Sequence, residues 1–236
     1  MKMTKILVVQ SRSSPDWVER EQKNFLRAIG DNAETEFLSA LDERLAWSTP
    51  LEFLQGRDGV IFGGSSDFDF HGGRDKKDPA RLMSLIILSR ARNIVTHAIG
   101  EHLPVLGVCF GHQLIAQMYG GDVQNDLQQG KSGSHEVHLT EEGKADVLFK
   151  HLPASFIAQY WHKDSVTILP DGATLLATGP TCRFSALRYG DNVYTTQFHP
   201  EVERVAIDDN SKPSPEASKL ILLWIKHIVG ANSRVS

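Results

Sequence analysis

The sequence predicts an α/β fold: a single domain over residues 1–236, with a central, mostly parallel β-sheet flanked by helices and an antiparallel extension. Three observations point there. Short apolar runs alternate with helical periods through the first half, as in βα units. One fully apolar run, Pro104 to Val108, turns through glycines directly into a helix. From Asp122 onward the helical period gives way to short β-like pieces separated by turn signals.

In chain order, Ile6 to Val9 reads as the first strand, Trp17 to Ile29 as a helix with a polar face, and Gly59 to Phe62 as a buried strand. Asp78-Pro79 is a helix start, a capping side chain followed by a first-turn proline. Behind it Met83, Ile86, Ile87, Ala91, Ile94, Val95 and Ala98 recur at helical spacing and predict one face packed on the sheet. Pro104 to Val108 is then a central strand, and the next helix carries Gln113, Leu114, Ile115 and Met118 up to Gly120-Gly121. The loop from Ser65 to Lys77 is expected to be the most mobile piece. In the second half, Glu136 to Leu139, Ser165 to Leu169, Ala173 to Ala177 and Val193 to Phe198 are expected as antiparallel strands and extensions. Ser214-Pro215 opens a last helix, with Ala217, Leu220, Ile221, Trp224 and Ile228 on one face and Gly230 at its end.

At 236 residues and 41% hydrophobic the chain can bury one large core. A formal net charge of −4 without a long Lys/Arg cluster excludes a nucleic-acid footprint. No run approaches the roughly 18 apolar residues of a membrane span. Two cysteines, Cys109 and Cys182, are too few for a disulfide framework and lack zinc-site spacing, so reduced thiols and a cytoplasmic location are expected. No metal and no cofactor is implied, and a Gly-x-x-x-x-Gly-Lys-Ser/Thr phosphate loop does not occur.

The chemistry gathers at Cys109, in the run Gly107-Val-Cys-Phe-Gly-His-Gln113. A strand-turn-helix elbow lifts one side chain out of the core and sets it at a helix N-terminus, where helix-end partial charge stabilises an anion by up to roughly 2 kcal/mol. Open α/β sheets place their ligands at such strand ends. Later, His199-Pro-Glu201 closes another apolar run. On an extended strand, residues two apart share a face, so Glu201 can orient one imidazole nitrogen and leave the other for the thiol. Pro200 confines the stretch to an edge or a strand end. Nucleophile, base and orienting group together are triad logic.

Gly107 to Gln113, Gln197-Phe-His-Pro-Glu201 and the upstream turn Phe62-Gly-Gly-Ser65 occur in the order found in the class I glutamine amidotransferases, which this chain resembles from the first strand to Glu201. The resemblance implies a flavodoxin-like sheet and a Cys109–His199–Glu201 triad acting on a γ-glutamyl amide. Cys109 attacks the amide, His199 hands a proton to the departing ammonia, and water then releases glutamate from the thioester. It also implies an oxyanion hole made by the N–H groups of Gly64 and Phe110, and a substrate pocket involving Gln113 and the segment containing Ser132 and Gly133. Near relatives often have proline after the glycine pair, where this chain has Ser65-Ser66. His162 and Asp164 resemble a His-x-Asp stretch of GMP-synthetase glutaminase domains, with a turn or supporting role. Cys182 reads as structural, and His112 as facing away from Cys109.

Three functions stay open at this point. A glutaminase subunit would hand ammonia to a separate synthase chain. A free-standing γ-glutamyl peptidase would act alone on small γ-glutamyl compounds. A binding module would use the same fold without catalysis.

Overall fold

The computed structural model describes residues 3–204 and 211–232. The first strands are β1 (Lys5–Gln10), β2 (Glu34–Ser39), β3 (Gly59–Phe62) and β4 (Val105–Val108). They are followed by β5 (Val123–Asn125), β6 (Lys131–Leu139), β7 (Ser155–His162), β8 (Asp164–Val166), β9 (Ala173–Thr178), β10 (Ala186–Tyr189) and β11 (Val193–Thr196). One sheet runs β2-β1-β3-β4-β11-β10-β9-β6-β7, and β5 pairs with β8 in a separate ribbon. From β2 to β11 the neighbours are parallel, and from β11 to β7 they are antiparallel.

This is the predicted α/β class, with one correction. The segment Val193 to Phe198 was expected among the antiparallel strands, and β11 does pair antiparallel with β10, but on its other edge it runs parallel to β4, pairing Thr196 with Val108. That pairing brings the end of β11 beside the end of β4. One further expectation shifts, and one strand went unpredicted. Ser165 to Leu169 shortens to β8, because Ile168 and Leu169 are exposed, and the strand β2 has no fully buried position and so no apolar run to announce it.

Side chains alternate across the sheet as the pleat requires. Ile6, Val8, Ile61, Leu106 and Val108 face one core, and Leu7, Val9, Val60, Phe62 and Val105 face the other. The first core is covered by α1 (Pro15–Ile29) and by the C-terminal helices, the second by helices between β2 and β5. These are α2 (Leu51–Leu54), α3 (Pro79–Gly100) and α4 (Phe110–Met118); α5 (Glu141–Ala145) follows β6. On α3, Asp78 caps the first turn by accepting from the Ala80 N–H at 2.9 Å. Ile87, Ala91, Ile94, Val95 and Ala98 are buried as expected, whereas Ile86 lies outside that face at 45% exposure.

The C-terminal run comprises α6 (Pro215–Ser218), α7 (Leu220–Trp224), a π-turn over Ile225–Val229 and a last short turn to Asn232, so it continues past Gly230. All five residues expected on its inner face are buried. A Cβ at Gly59 would stand 2.8 Å from the Trp224 ring, so glycine there lets this helix lie against β3. On α1 the buried residues are Glu21, Phe25 and Ile29, one stripe at i, i+4 and i+8. Burying Phe25 and Ile29 contributes roughly 1.5–3 kcal/mol each. Glu21 is a carboxylate on that same apolar stripe.

Candidate active site

The C-terminal ends of β3, β4 and β11 build the site. Cys109 leaves β4 with φ 53° and ψ −98°, a backbone region that costs an L-residue about 1–3 kcal/mol and persists only where its surroundings enforce it. Its N–H donates to the Thr196 carbonyl at 2.8 Å, which ties the elbow to the end of β11. Glycines on either side make the turn possible sterically. A Cβ at Gly111 would lie 2.5 Å from the carbonyl oxygen of Phe62, and one at Gly107 would lie 2.8 Å from that of Gly111. Gly111→Ala should therefore destabilise by about 1–3 kcal/mol, overriding the better helix propensity of alanine, because a backbone oxygen cannot move aside. A thermal melt checks this as a fall of about 2–4 °C per kcal/mol.

His199, Pro200 and Glu201 lie in a turn after β11 rather than on an extended strand. The turn closes with the Val202 N–H donating to the His199 carbonyl at 3.2 Å. Pairing of His199 with Glu201 thus comes from the turn, not from alternate positions of a pleat. The Nδ1–H of His199 donates to Glu201 Oε1 at 2.6 Å, and both side chains are buried. The backbone of His199 is held by Gln159, whose carbonyl accepts at 2.8 Å. Burial opposes the imidazolium, but the Glu201 carboxylate and the sulfur of Cys109 more than offset it, raising the His199 pKa to about 10.

His199 Cε1 and Cys109 Cβ stand 3.0 and 3.6 Å from one point, the position a Cβ would take on Gly64. Nε2 of His199 makes no hydrogen bond to any described residue. The thiol of Cys109 donates to the Trp161 carbonyl at 3.5 Å. The structure therefore brings Cys109, His199 and Glu201 together, with a proton held on His199 next to a thiol.

Gly64 borders the same point, but its N–H is directed to Glu21 Oε1 at 3.1 Å. Of the preceding peptide, the Gly63 carbonyl accepts from the Gly111 N–H at 3.1 Å. The N–H of Phe110, at the start of α4, makes no hydrogen bond within the described residues. Gln113 is buried; its Nε2 donates to the Asp164 carbonyl at 2.8 Å and to Gln197 Oε1 at 3.3 Å. It lines a pocket of about 20 Å3 beside Cys109, together with Phe68, Asp69, Trp161 and Asp164. That volume holds a water and little more.

Ser132 lies on the wall of a second, open cleft of about 690 Å3 on the His199 and Glu201 side. Gly133, one position along β6, lines neither space. The loop expected to be most mobile is anchored at its tip, where both oxygens of Asp164 accept from the His71 and Gly72 N–H groups at 2.6 Å each. Burial lowers the pKa of His162 to about 4. His112 is buried against Thr195 Oγ1 at 2.8 Å, and Cys182 is a buried free thiol whose pKa burial raises.

Glu21, Arg12 and Trp161 escaped the sequence reading. Glu21 was detectable, since a carboxylate on the apolar stripe of an amphipathic helix needs a buried partner. Arg12 and Trp161 carry no such signal, because nothing in the residues around them marks an arginine or a tryptophan as facing the site.

Comparison with known proteins agrees with this geometry. Residues 78–210 match the family model described as glutamine amidotransferase class-I. The chain is 34% identical over 161 residues to a glutamine-hydrolyzing GMP synthase subunit of Methanocaldococcus jannaschii, covering 66% of this chain and 72% of that one. It is 32% identical over 169 residues to the corresponding subunit of Methanothermobacter thermautotrophicus, covering 70% and 78%. Among solved structures, a candidate GMP synthase subunit from Thermoplasma acidophilum superposes with a TM-score of 0.73 at 24% identity, over 100% of this chain and 98% of that one. A matched model over more than half the chain, in agreement with the elbow and the His-Pro-Glu turn, shows that this protein belongs to the class I glutamine amidotransferase family.

Proposed function

We propose that this chain hydrolyses the side-chain amide of glutamine through a thioester on Cys109 and passes the ammonia to a separate synthase chain. The observation that carries the reading is the elbow itself: Cys109 at φ 53°, beside a His199 whose Nδ1 is held by Glu201 at 2.6 Å. As Sγ attacks the amide carbon its proton passes to Nε2 of His199, and the carbonyl electron pair moves to oxygen. The imidazolium of His199 protonates the departing nitrogen as the C–N bond breaks, and ammonia leaves. His199, now neutral, takes a proton from water, which attacks the thioester and frees glutamate. Gln113, in the wall of the small pocket, is the residue for the glutamyl end of the substrate. Ser132 belongs to the opposite, leaving-group side.

A separate ammonia acceptor is supported by the relatives, which are named as subunits of a glutamine-hydrolysing synthase. Among the described residues no helix is long and apolar enough to cross a membrane. The test is glutamate release from glutamine and from a panel of γ-glutamyl peptides by the wild type and Cys109→Ala. The expected result is Cys109-dependent release from glutamine, slow for the isolated chain. Faster turnover of γ-glutamyl peptides would make it an autonomous peptidase, and no release from any of them would leave a binding module.

A further inference from the structure

Trp161, near the end of β7, stands between two spaces, one beside Cys109 and the other on the His199 side. It borders both the pocket of about 20 Å3 and the cleft of about 690 Å3. Its backbone faces the thiol, the carbonyl accepting from Cys109 at 3.5 Å. Its indole faces the imidazole: the ring centroids of Trp161 and His199 lie 5.6 Å apart, with their planes at 59°. Trp161 pairs directly with Ser132 of β6, and cross-strand partners project to the same face of a sheet, so the indole shares the cleft side with Ser132. Ser65, Asp69, His162 and Lys163 border both spaces as well, and the indole is the bulkiest side chain among them. A nitrogen leaving from the thioester must reach Nε2 of His199 for its proton. Any substituent on that nitrogen therefore extends past His199 toward the cleft, where the indole stands.

We propose that Trp161 is the specificity-determining residue that restricts the leaving group to ammonia, its indole filling the space that a substituent on the departing nitrogen would need. The inference rests on the reaction proposed above. The bonds are the same for every γ-glutamyl amide: the S–C bond forms, the C–N bond breaks, and the proton on His199 goes to the departing nitrogen. Only the room around that nitrogen differs. Ammonia is a single heavy atom and asks for no space beyond its contact with His199. An N-methyl group adds one carbon and an anilide adds a ring, and either must displace an indole that is packed on a buried imidazole. Close-packed side chains do not compress, so the cost grows with the size of the intruder. Behind the indole, the cleft of about 690 Å3 lies within the range of small-molecule sites and can receive the substituent once the ring is removed.

The test uses glutamine, γ-glutamylmethylamide and γ-glutamyl-p-nitroanilide with the wild type and two variants. It reads the ratio of kcat/KM for each substituted amide to kcat/KM for glutamine. Intrinsic differences between the leaving groups cancel when a variant's ratio is divided by that of the wild type. In Trp161→Ala the anilide ratio is expected to rise by about tenfold or more, and the methylamide ratio by a smaller factor. Trp161→Phe keeps a ring beside His199 but a smaller one. It should raise the anilide ratio in the same direction by a smaller factor, and it decides the matter where Trp161→Ala does not melt cooperatively.

A Trp161 that only steadies His199 would slow all three substrates alike, and ratios within about twofold of the wild type overturn the proposal. So does a wild type that hydrolyses the substituted amides as well as glutamine, since nothing is then excluded. Cys109-dependent release from glutamine with unmoved ratios overturns this proposal alone. Absence of any Cys109-dependent release from glutamine would overturn the glutaminase reading itself, and this proposal with it.

Discussion

Cys109→Ser is expected to lower glutamate release by about 10,000-fold or more while leaving the melting temperature close to that of the wild type. The two side chains are nearly isosteric, and the strained backbone at φ 53° is held by the Thr196 carbonyl and by the glycines around the elbow, none of which depends on sulfur. The loss is therefore chemical. Sulfur is the better nucleophile and its S–H bond is far more acidic than an alcohol's O–H, so a hydroxyl at the same position attacks an amide much more slowly. Steady-state kinetics with a thermal melt on the same preparation check both halves. A variant retaining more than about one-hundredth of the activity would show that Cys109 is not the nucleophile.

Glu201→Gln carries the second large effect, about 100-fold to 10,000-fold in kcat, because it removes the group that fixes the imidazole tautomer. Its signature is in the pH profile. His199 is buried, and the charges of Glu201 and Cys109 raise its pKa to about 10. The proton it must give to the leaving nitrogen is therefore available up to that pH, and the wild-type profile should fall only on approaching it. Without the carboxylate, burial dominates and the alkaline limb moves down toward neutrality.

The same shift has a stability counterpart with a definite sign. A histidine whose folded-state pKa is raised contributes stability fully below its unfolded value of about 6.5 and loses it as pH climbs through the folded value. Between pH 6.5 and about 10 the wild type should thus lose melting temperature, and Glu201→Gln should lose less over that interval. Equal slopes in the two proteins would remove Glu201 as the cause of the shift.

Much of this was legible in the residues. The runs that became β1, β3 and β4 are apolar on every side because their sheet is covered on both faces, so their signal is strong and local. The Asp78-Pro79 start of α3 and the glycines around Cys109 are likewise local, set by capping and by the space a turn leaves. Other features were not legible. β2 sits at the sheet edge with no fully buried position, which erases its pattern. Ile86 kept the helical spacing yet lies outside the packed face, since spacing cannot say how wide the covering surface is. A strand's period of two carries no information about its partner, so the parallel pairing of β11 with β4 was missed.

The sequence by itself picked out the side chains proposed to carry the chemistry: Cys109 on its elbow, with His199 and Glu201 two apart near a strand end. Residue type and short-range geometry suffice for that choice. Only the tertiary structure decided that β11 comes to lie beside β4, that His199 and Glu201 meet through a turn, and that the Gly64 N–H faces Glu21. The first and the last depend on contacts between elements far apart in the chain, such as the 43 residues separating Glu21 from Gly64, and the local turn is anchored by the Gln159 carbonyl, which accepts from the His199 N–H. Backbone hydrogen bonds form to whatever donor or acceptor packing brings within about 3 Å, and packing is a property of the whole core.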